Sequence, residues 1–192
     1  MVIAGGRSLR FGSEKALASF RGRPLLLWAV ERLRRSCAAV AVNARSGTGA
    51  EALALNAGLP VLHDFEGDPA GPLSGVRAGL QWAQGQGACA IAVSPCDVPQ
   101  LPDDLFERLA AAAGPGAALV ETASGLQPLC AVWPVAALPT LAAALAAGTH
   151  PAVWRVLDGL RAARVWSDDA DAFANVNTPE ELAALAARDH QR

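Results

Sequence analysis

The chain has 192 residues, of which 52% are hydrophobic, so we expect one sizeable folded unit with a substantial core. Its net charge of −2 lacks the basic excess of most nucleic-acid-binding proteins, so no nucleic-acid partner is expected. No apolar run reaches the roughly 20 residues of a membrane span, and the four cysteines form no Cys-x-x-Cys pair. These features predict a cytoplasmic protein without membrane contact, zinc site or disulfide framework.

The predicted elements alternate between short apolar runs and helix-length periodic segments. In chain order they are a strand at 1–4, a helix at 24–35, a strand at 38–43, a helix at 50–57, a strand at 60–63, a helix at 72–84, a strand at 89–94 and a helix at 102–113. This order is typical of a Rossmann-like three-layer αβα fold, in which helices cover both faces of a mostly parallel sheet.

The alternation of predicted strands and helices becomes less regular after Gly114. Apolar runs at 117–121 and 129–133 flank a turn at Ser124 and Gly125, which predicts an antiparallel pair added to the sheet. Two helical stretches, a strand near 163–166 and a final helix complete the chain. No linker divides these elements, so we expect one domain over 1–192.

The loop after the first predicted strand carries the clearest chemical signal. It combines glycines with basic side chains, namely Gly5, Gly6, Gly12, Arg7, Arg10 and Lys15. Adjacent glycines let backbone N–H groups approach one anion, and the basic side chains neutralise phosphate charge. The spacing is neither that of a Walker loop nor that of a dinucleotide fingerprint. We interpret the loop as a triphosphate site, the alternative being an ordinary turn with surface arginines.

Lys15 has a second distinction, because it is the one lysine among 16 basic residues. A composition rich in Ala, Arg and Gly is typical of a GC-rich genome, which accounts for the scarcity of lysine. An ammonium group and a guanidinium group are nevertheless not equivalent at a phosphate site. We therefore expect Lys15 to have a specific role.

Asp97 follows the strand predicted at 89–94 and lies between Pro95 and Pro99. Ligands of such sheets bind beyond the carboxyl ends of the strands, and a rigidly held carboxylate there suits Mg²⁺ that is completed by substrate phosphates. The alternative is a turn or capping residue. With a phosphate loop nearby, Asp97 becomes the metal candidate.

Further polar residues and glycines follow the other predicted strands. Asn43 is a candidate partner for a base or ribose, and Asp64 is a candidate contact of the nucleotide or of a nearby bound water. Gly71 and Gly75 bound a turn that enters a helix, whose free N–H groups could face an anion. Each of these residues also has an ordinary interpretation as a turn residue.

The segment before the last helix contains two asparagines that local structure does not explain. Thr178, Pro179 and Glu181 form a capping box at the start of the helix. Asn175 and Asn177 lie just before it and could reach the crevice. The histidines form no convincing catalytic arrangement, so no strong general base is predicted.

Together these motifs resemble the molybdenum cofactor guanylyltransferases, the MobA-type nucleotidyltransferases, over nearly the whole chain. The resemblance rests on Ala4-Gly5-Gly6-Arg7-Ser8-x-Arg10-x-Gly12 with Lys15, on Gly71-Pro72-Leu73-Ser74-Gly75, on Cys96-Asp97-x-Pro99 and on Asn175-Val176-Asn177-Thr178-Pro179-Glu180-Glu181-Leu182. It implies the nucleotidyltransferase fold, with a nucleotide-binding half over 1–113 and an acceptor-binding half over 114–192.

The resemblance also implies a reaction, in which GMP passes from GTP to Mo-molybdopterin with Mg²⁺ and pyrophosphate is released. By matching position Lys15, Asp97 and Arg10 are the implied catalytic residues, with Mg²⁺ on Asp97. The implied nucleotide contacts are Ile3, Ala4, Gly5, Gly6, Lys15, Asn43, Asp64, Gly71, Gly75 and Asp97. Asn175 and Asn177 are implied to face the pterin acceptor or the metal.

Some positions depart from the family pattern, and several alternatives to the guanylyl assignment remain. Glu14 stands where Asp is usual before the lysine, and residues 148–151 are less basic than a pterin-phosphate pocket would suggest. The alternatives are a CTP-dependent molybdopterin cytidylyltransferase, another small-molecule nucleotidyltransferase, or a non-catalytic paralogue that binds the nucleotide or cofactor. A monomer with transient contacts to molybdoenzymes or cofactor chaperones is expected.

Overall fold

The structure is a computed structural model that describes residues 1–6, 11–148 and 150–189. Its strands are β1 (Val2–Ile3), β2 (Ser19–Phe20), β3 (Arg23–Pro24), β4 (Val42–Asn43), β5 (Val61–Leu62), β6 (Ala90–Pro95), β7 (Ala118–Thr122), β8 (Gly125–Pro134) and β9 (Ala163–Ser167). Its helices are α1 (Leu25–Arg34), α2 (Gly49–Asn56), α3 (Pro72–Gly85), α4 (Leu105–Ala113), α5 (Leu138–Ala146), α6 (Val153–Gly159) and α7 (Pro179–Asp189). Short 3₁₀ turns lie at Lys15–Leu17, Val135–Ala137 and Asp171–Phe173.

Seven strands form one sheet in the order β5-β4-β1-β6-β8-β7-β9. Strand β1 pairs in parallel with β4 and β6, and β4 pairs in parallel with β5. Strand β8 runs antiparallel to both of its neighbours, whereas β9 is parallel to β7. The predicted mostly parallel sheet with an added antiparallel part is therefore confirmed.

Helices cover both faces of this sheet because the central strands are apolar on both sides. Val2 and Val42 pack in one core with α1, α2 and α4. Ala41 and Val93 pack in the other core with α3, α5 and α6. Successive strand residues point to opposite faces, so a continuous apolar run supplies both cores. The predicted three-layer αβα architecture is confirmed.

Several strands are shorter than their apolar runs. The run at 38–43 forms strand only at Val42–Asn43, although Val40 and Ala41 are fully or almost fully buried. The Ala41 carbonyl still accepts a hydrogen bond from the Val2 amide at 2.9 Å, so the run approaches the sheet before it pairs regularly. Hydrophobicity here reports burial rather than strand length.

A hairpin of β2 and β3 was not predicted, and it positions the candidate site. Its turn places Arg21 and Gly22 at φ values of 50° and 76°, in the left-handed region that two-residue hairpins require. Phe20 in β2 packs with Val176 and Leu182 near the C-terminus in a third, smaller core. The hairpin thereby holds the last helix close to the loop that follows β1.

The second half largely follows its predicted pattern. The antiparallel pair forms as expected, but β8 starts at Gly125 rather than near residue 129. Thr178 caps α7 by accepting from the Glu181 amide at 3.2 Å. The Glu181 carboxylate accepts from the Asn177 amide at 2.6 Å, one residue before the position that a capping box requires. Within the described ranges no helix is long and apolar enough to cross a membrane.

Candidate active site

The carboxyl ends of the central parallel strands converge on one cavity. Ile3 is in register with Asn43 on one side and with Pro95 on the other, so the segments after β1, β4 and β6 leave the sheet side by side. The cavity has a volume of about 480 Å³. It is lined by Ile3, Ala4, Gly5, Gly6, Glu14, Lys15, Ala16, Asn43, Arg45, Thr48, Asp64, Ala70, Gly71, Pro72, Pro95, Cys96, Asp97 and Leu129.

An ion pair between Lys15 and Asp97 lies in this cavity. The Lys15 Nζ donates to Asp97 Oδ2 at 2.9 Å, and the two side chains are only 13% and 22% exposed. The same ammonium group donates to Asn177 Oδ1 at 3.1 Å. Partial burial strengthens the attraction between the charges relative to a surface pair. Residues from the start, middle and end of the chain thus meet at one point.

Asn177 reaches this point because the segment before α7 is anchored on both sides. The Val176 amide donates to the Asp97 carbonyl at 2.9 Å. The Val176 side chain is buried beside Phe20 and Leu182. One backbone hydrogen bond and one apolar contact therefore fix the position of the Asn177 amide relative to Asp97.

A second polar pair, Asn43 and Asp64, lies at the ends of β4 and β5. The buried Asn43 side chain donates from Nδ2 to Asp64 Oδ1 at 2.9 Å and to the Leu62 carbonyl at 3.2 Å. Both bonds use the amide nitrogen, so Oδ1 is left as an acceptor. A Cβ on Gly75 would lie 2.4 Å from this oxygen. Gly75 does not line the cavity; it makes room for Asn43.

The start of α3 is held by a histidine from the second half. The Leu73 amide donates to His150 Nε2 at 3.2 Å. A Cβ on Gly71 would lie 2.2 Å from the same nitrogen, so only glycine permits this approach. One of the free amides predicted to face an anion is therefore bound to His150 instead. Nothing in the spacing of the sequence indicated this contact.

Sequence reasoning did not propose Glu14, Arg45, Thr48 or Leu129 as site residues, although all four line the cavity. Arg45 is exposed and lies two residues after Asn43, beside Gly5. A basic residue directly after a strand that ends at the site was a usable signal. Leu129 lies in the middle of a strand, where apolarity alone cannot distinguish a lining residue from a core residue.

The remaining predicted residues differ in their placement. Ile3, Ala4, Gly5 and Gly6 line the cavity, whereas Arg10 lies outside the described residues. Asn175 is exposed and is not one of the described residues that line the cavity. The structure therefore brings one of the two asparagines to Lys15.

Comparison with known proteins identifies the family. Residues 1–165 match the family described as the MobA-like NTP transferase domain. A molybdenum cofactor guanylyltransferase of Cereibacter sphaeroides is 42% identical over 184 residues, which cover 95% of this chain and 92% of that protein. The chain belongs to the MobA-like nucleotidyltransferases.

Solved structures agree on the fold of this MobA-like chain. Molybdopterin-guanine dinucleotide biosynthesis protein A from Archaeoglobus fulgidus superposes with a TM-score of 0.73 at 20% identity, covering 100% of this chain and 98% of that one. The 2-C-methyl-D-erythritol 4-phosphate cytidylyltransferase from Thermus thermophilus gives a TM-score of 0.69 at 17% identity, covering 98% and 97%. The fold is thus shared by structures whose names specify different nucleotides, and it does not by itself select the base.

The thiol in the cavity of this MobA-like chain is not an activated nucleophile. Burial, followed by the negative charge of Asp97, raises the pKa of Cys96 to about 12. Burial also raises the pKa of the Cys130 thiol. A raised pKa leaves both thiols protonated and weakly nucleophilic near neutral pH. Covalent catalysis by cysteine is therefore disfavoured at this site.

The donor set for a cation is small in the part of the chain that the structure describes. No group of three or more His, Cys, Asp and Glu side chains there could hold a metal ion by itself. Asp97 contributes one carboxylate to the cavity. Mg²⁺ is ordinarily held by one or two carboxylates together with substrate phosphates and waters, so Asp97 fits a metal that arrives with a nucleotide.

Proposed function

We propose that this chain transfers GMP from GTP to Mo-molybdopterin and releases pyrophosphate. The observation that carries the proposal is that the Lys15–Asp97 ion pair, which Asn177 contacts through Lys15, lines the same cavity as the Asn43–Asp64 pair. The Lys15 ammonium group and Asp97 suit the phosphates and their metal ion, and the Asn43–Asp64 pair suits a base or ribose. The names of the relatives, which are 35% to 42% identical, support guanine as the base and molybdopterin as the acceptor.

The Asn43–Asp64 pair supports GTP as the donor, because it offers hydrogen-bond acceptors to the base. The Asn43 nitrogen is bound to Asp64 and to the Leu62 carbonyl, which leaves acceptor oxygens on both side chains. Guanine carries adjacent N–H donors on its Watson–Crick edge, whereas cytosine has a ring acceptor there. A site of acceptors pairs with guanine and leaves polar groups unsatisfied with cytosine.

At the other end, Lys15 and the glycine loop suit the phosphates. Gly5 and Gly6 line the cavity, and backbone amides of glycine can approach a phosphate closely. The ammonium group of Lys15 supplies a compact positive charge. We propose that Lys15 contacts both Asp97 and the phosphates when GTP is bound, while Arg45 adds positive charge at the rim. The predicted role of Arg10 remains a proposal.

Asp97 is the residue that we propose for Mg²⁺. When bound, the ion neutralises negative charge on the phosphate oxygens. The carboxylate is ready for this role because it accepts from the Lys15 ammonium group, while the backbone carbonyl of Asp97 itself is anchored by the Val176 amide. A carboxylate fixed in this way needs little reorganisation when the nucleotide arrives.

The proposed reaction is an in-line displacement at the α-phosphorus of GTP. An oxygen of the terminal phosphate of the pterin forms the new bond, and the bond from the α-phosphorus to the bridging oxygen of the β-phosphate breaks. Pyrophosphate leaves with that electron pair. The attacking phosphate is already ionised, so the protein needs to supply position and charge rather than a strong base. This requirement agrees with a site built on Lys15 and Asp97.

The acceptor is proposed to lie toward the second half, near Asn177 and Leu129, with the first half holding the nucleotide. Asn175 would then contribute only at the outer edge, because it is exposed. A single domain, a cytoplasmic location, a monomeric state and transient contacts with molybdoenzymes or cofactor chaperones are part of the same proposal.

The decisive test compares α-labelled GTP and α-labelled CTP as donors to purified Mo-molybdopterin with Mg²⁺. We expect labelled GMP to enter the dinucleotide product, with at least about 100-fold preference over CMP because mispaired buried groups are costly. Preferred incorporation of CMP would show that the cytidylyl alternative is right. Binding of GTP without transfer to any acceptor would favour the non-catalytic alternative.

A further inference from the structure

Glu14 belongs to the loop after β1, yet its carboxylate binds the start of α2. Oε1 accepts from the Gly49 amide and Oε2 from the Ala50 amide, each at 2.8 Å. The third amide of the helix, that of Glu51, donates to the Thr48 hydroxyl at 3.3 Å. These are the amides that an α-helix leaves without partners inside itself. Two of the three are therefore satisfied by a residue 35 positions or more away in sequence.

The contact between the loop and the helix is also close in its apolar part. A Cβ on Gly49 would lie 2.5 Å from Leu17 Cδ1 and 3.4 Å from both carboxylate oxygens of Glu14. The short turn at Lys15–Leu17 therefore packs directly on the first residue of α2. Glycine at this position keeps the carboxylate within hydrogen-bond distance of both amides.

The charge of Glu14 would otherwise be unfavourable in a cavity that holds phosphates. Here it accepts from two backbone amides and lies at the positive end of the α2 dipole, which offsets the negative charge. An acidic side chain can therefore line the cavity without repelling a nucleotide strongly. Its structural effect is to fix the backbone immediately before Lys15.

The same contact connects the two ends of the cavity. Helix α2 follows the segment that carries Asn43 and Arg45, and the Thr48 hydroxyl donates to the Arg45 carbonyl at 2.6 Å. Glu14 thus joins the loop that bears Lys15 to the segment that bears the proposed base contact. A movement of one would be transmitted to the other through hydrogen bonds and a rigid helix start.

We propose that Glu14 is a positioning residue for nucleotidyl transfer, which acts by holding Lys15 at the correct distance from the phosphates. The proposal rests on the proposed function. It differs from a purely structural role because the carboxylate sets the position of one catalytic side chain. Loss of the contact should lower the rate of the chemical step more than it lowers nucleotide affinity.

The first test is Glu14→Gln in the full chain. The amide has the same size but keeps only one acceptor oxygen, and its NH₂ group faces a backbone N–H, so one of the two bonds is lost. We expect kcat for GMP transfer to fall about 10- to 50-fold, with KM for GTP changed less than about threefold. Glu14→Asp keeps the charge and should restore part of the rate.

The matched control is Glu51→Gln, which changes a carboxylate that belongs to the first turn of α2, the turn whose amides Glu14 binds. Glu51 accepts from the Gly47 amide at 2.6 Å and faces His63, but it does not contact the loop that bears Lys15 among the described hydrogen bonds and ion pairs. We expect its kcat to stay within about twofold of the unchanged protein, since helix capping alone has a modest effect.

A second readout does not depend on turnover. Lys15 is the one lysine of the chain, so an amine-reactive ester followed by peptide mass spectrometry reports on that side chain. We expect Lys15 in Glu14→Gln to react several times faster than in the unchanged protein, because its backbone is less restrained. GTP with Mg²⁺ should protect it in both proteins. Glu51→Gln should leave the labelling rate unchanged.

The outcomes separate the two proposals. No GMP transfer by the unchanged protein would contradict the proposed function, and the labelling rates would then decide on Glu14. The positioning role would be overturned if the unchanged protein transfers GMP normally and Glu14→Gln has both a kcat within twofold of that protein and the same labelling rate at Lys15. A lower melting temperature with both readouts unchanged would also overturn it. If Glu14→Gln does not fold by circular dichroism, Glu14→Asp decides by the same two readouts.

Discussion

The two halves of the chain contribute to the cavity in different ways. Residues 1–113 supply nearly all of its wall, whereas Leu129 is the one lining residue, among those described, that comes from residues 114–189. The second half acts instead through single contacts, from His150 to the start of α3 and from Asn177 to Lys15. A nucleotide site can thus be built by sheet topology, while its completion depends on a few long-range contacts.

The direction of the strands and their order in the sheet explain this difference. The parallel strands β1, β4 and β6 all end at the same edge, so each is followed by a segment that faces the cavity. Strand β8 runs the opposite way, and its Leu129 lies two residues before Ala131, the partner of Val93. Leu129 therefore lies opposite Pro95, although it is in the middle of a strand and not in a loop that follows one. Strands β7 and β9 also end at this edge, but β8 separates them from β6 in the sheet, so the segments that follow them start farther from the cavity.

Asp97→Asn should have the largest effect and tests the first half. Asparagine keeps the size and the bond to Lys15 but removes the charge that we propose for Mg²⁺. We expect kcat to fall about 1,000-fold or more in the GTP assay, with the fold unchanged by circular dichroism. Asp104→Asn, at an exposed position beside α4, is the control and should stay near full activity. Comparable turnover of the two variants would remove Asp97 from the mechanism.

Lys15→Arg should have the next largest effect. The side chain meets Asp97 at 2.9 Å and Asn177 at 3.1 Å in a partly buried position, where a planar guanidinium group is larger and directs its donors differently. We expect kcat to fall about 100-fold while the protein still binds GTP, because the charge is kept but its position is not. Steady-state kinetics with a separate GTP-binding titration measures both. Full activity would mean that any positive charge suffices there.

The fold was largely predictable because apolar runs and helix periodicity report burial and element type directly. Residues 72–84 were predicted as a helix and α3 spans Pro72–Gly85, since Pro at the start and an amphipathic pattern define that helix well. Strand lengths were not predictable, as β4 shows, because burial extends beyond regular pairing. The hairpin of β2 and β3 was missed, since Phe20 is the one large apolar side chain in its two strands and gives no apolar run.

The candidate site was predictable where its residues follow strand ends. Asn43 and Asp97 were proposed from that rule, and both line the cavity. The position of a residue after a strand does not predict contacts between elements that are far apart in sequence. The caps of Glu14 on α2 and of His150 on α3 are of this kind, because each joins residues that are far apart in sequence. Local patterns cannot pair such residues without the tertiary structure.

Asn177→Ala should have the smallest effect of the three, and it tests how the second half contributes. The change removes one acceptor of the Lys15 ammonium group but leaves its bond to Asp97 and the anchoring Val176 amide in place. We expect kcat to fall about tenfold with a smaller change in KM for GTP, the loss expected for one charge-assisted hydrogen bond. The measurement is steady-state kinetics with GTP and Mo-molybdopterin varied in turn.

Asn175→Ala is the natural companion, because Asn175 is two residues away and exposed. If it contacts the acceptor at the edge of the site, its loss should raise KM for Mo-molybdopterin a few-fold at most and leave kcat unchanged, as expected for uniform binding. A larger effect from Asn175 than from Asn177 would mean that the acceptor, rather than Lys15, is the group that this segment positions. The second half would then contribute binding surface and not only support for the first half.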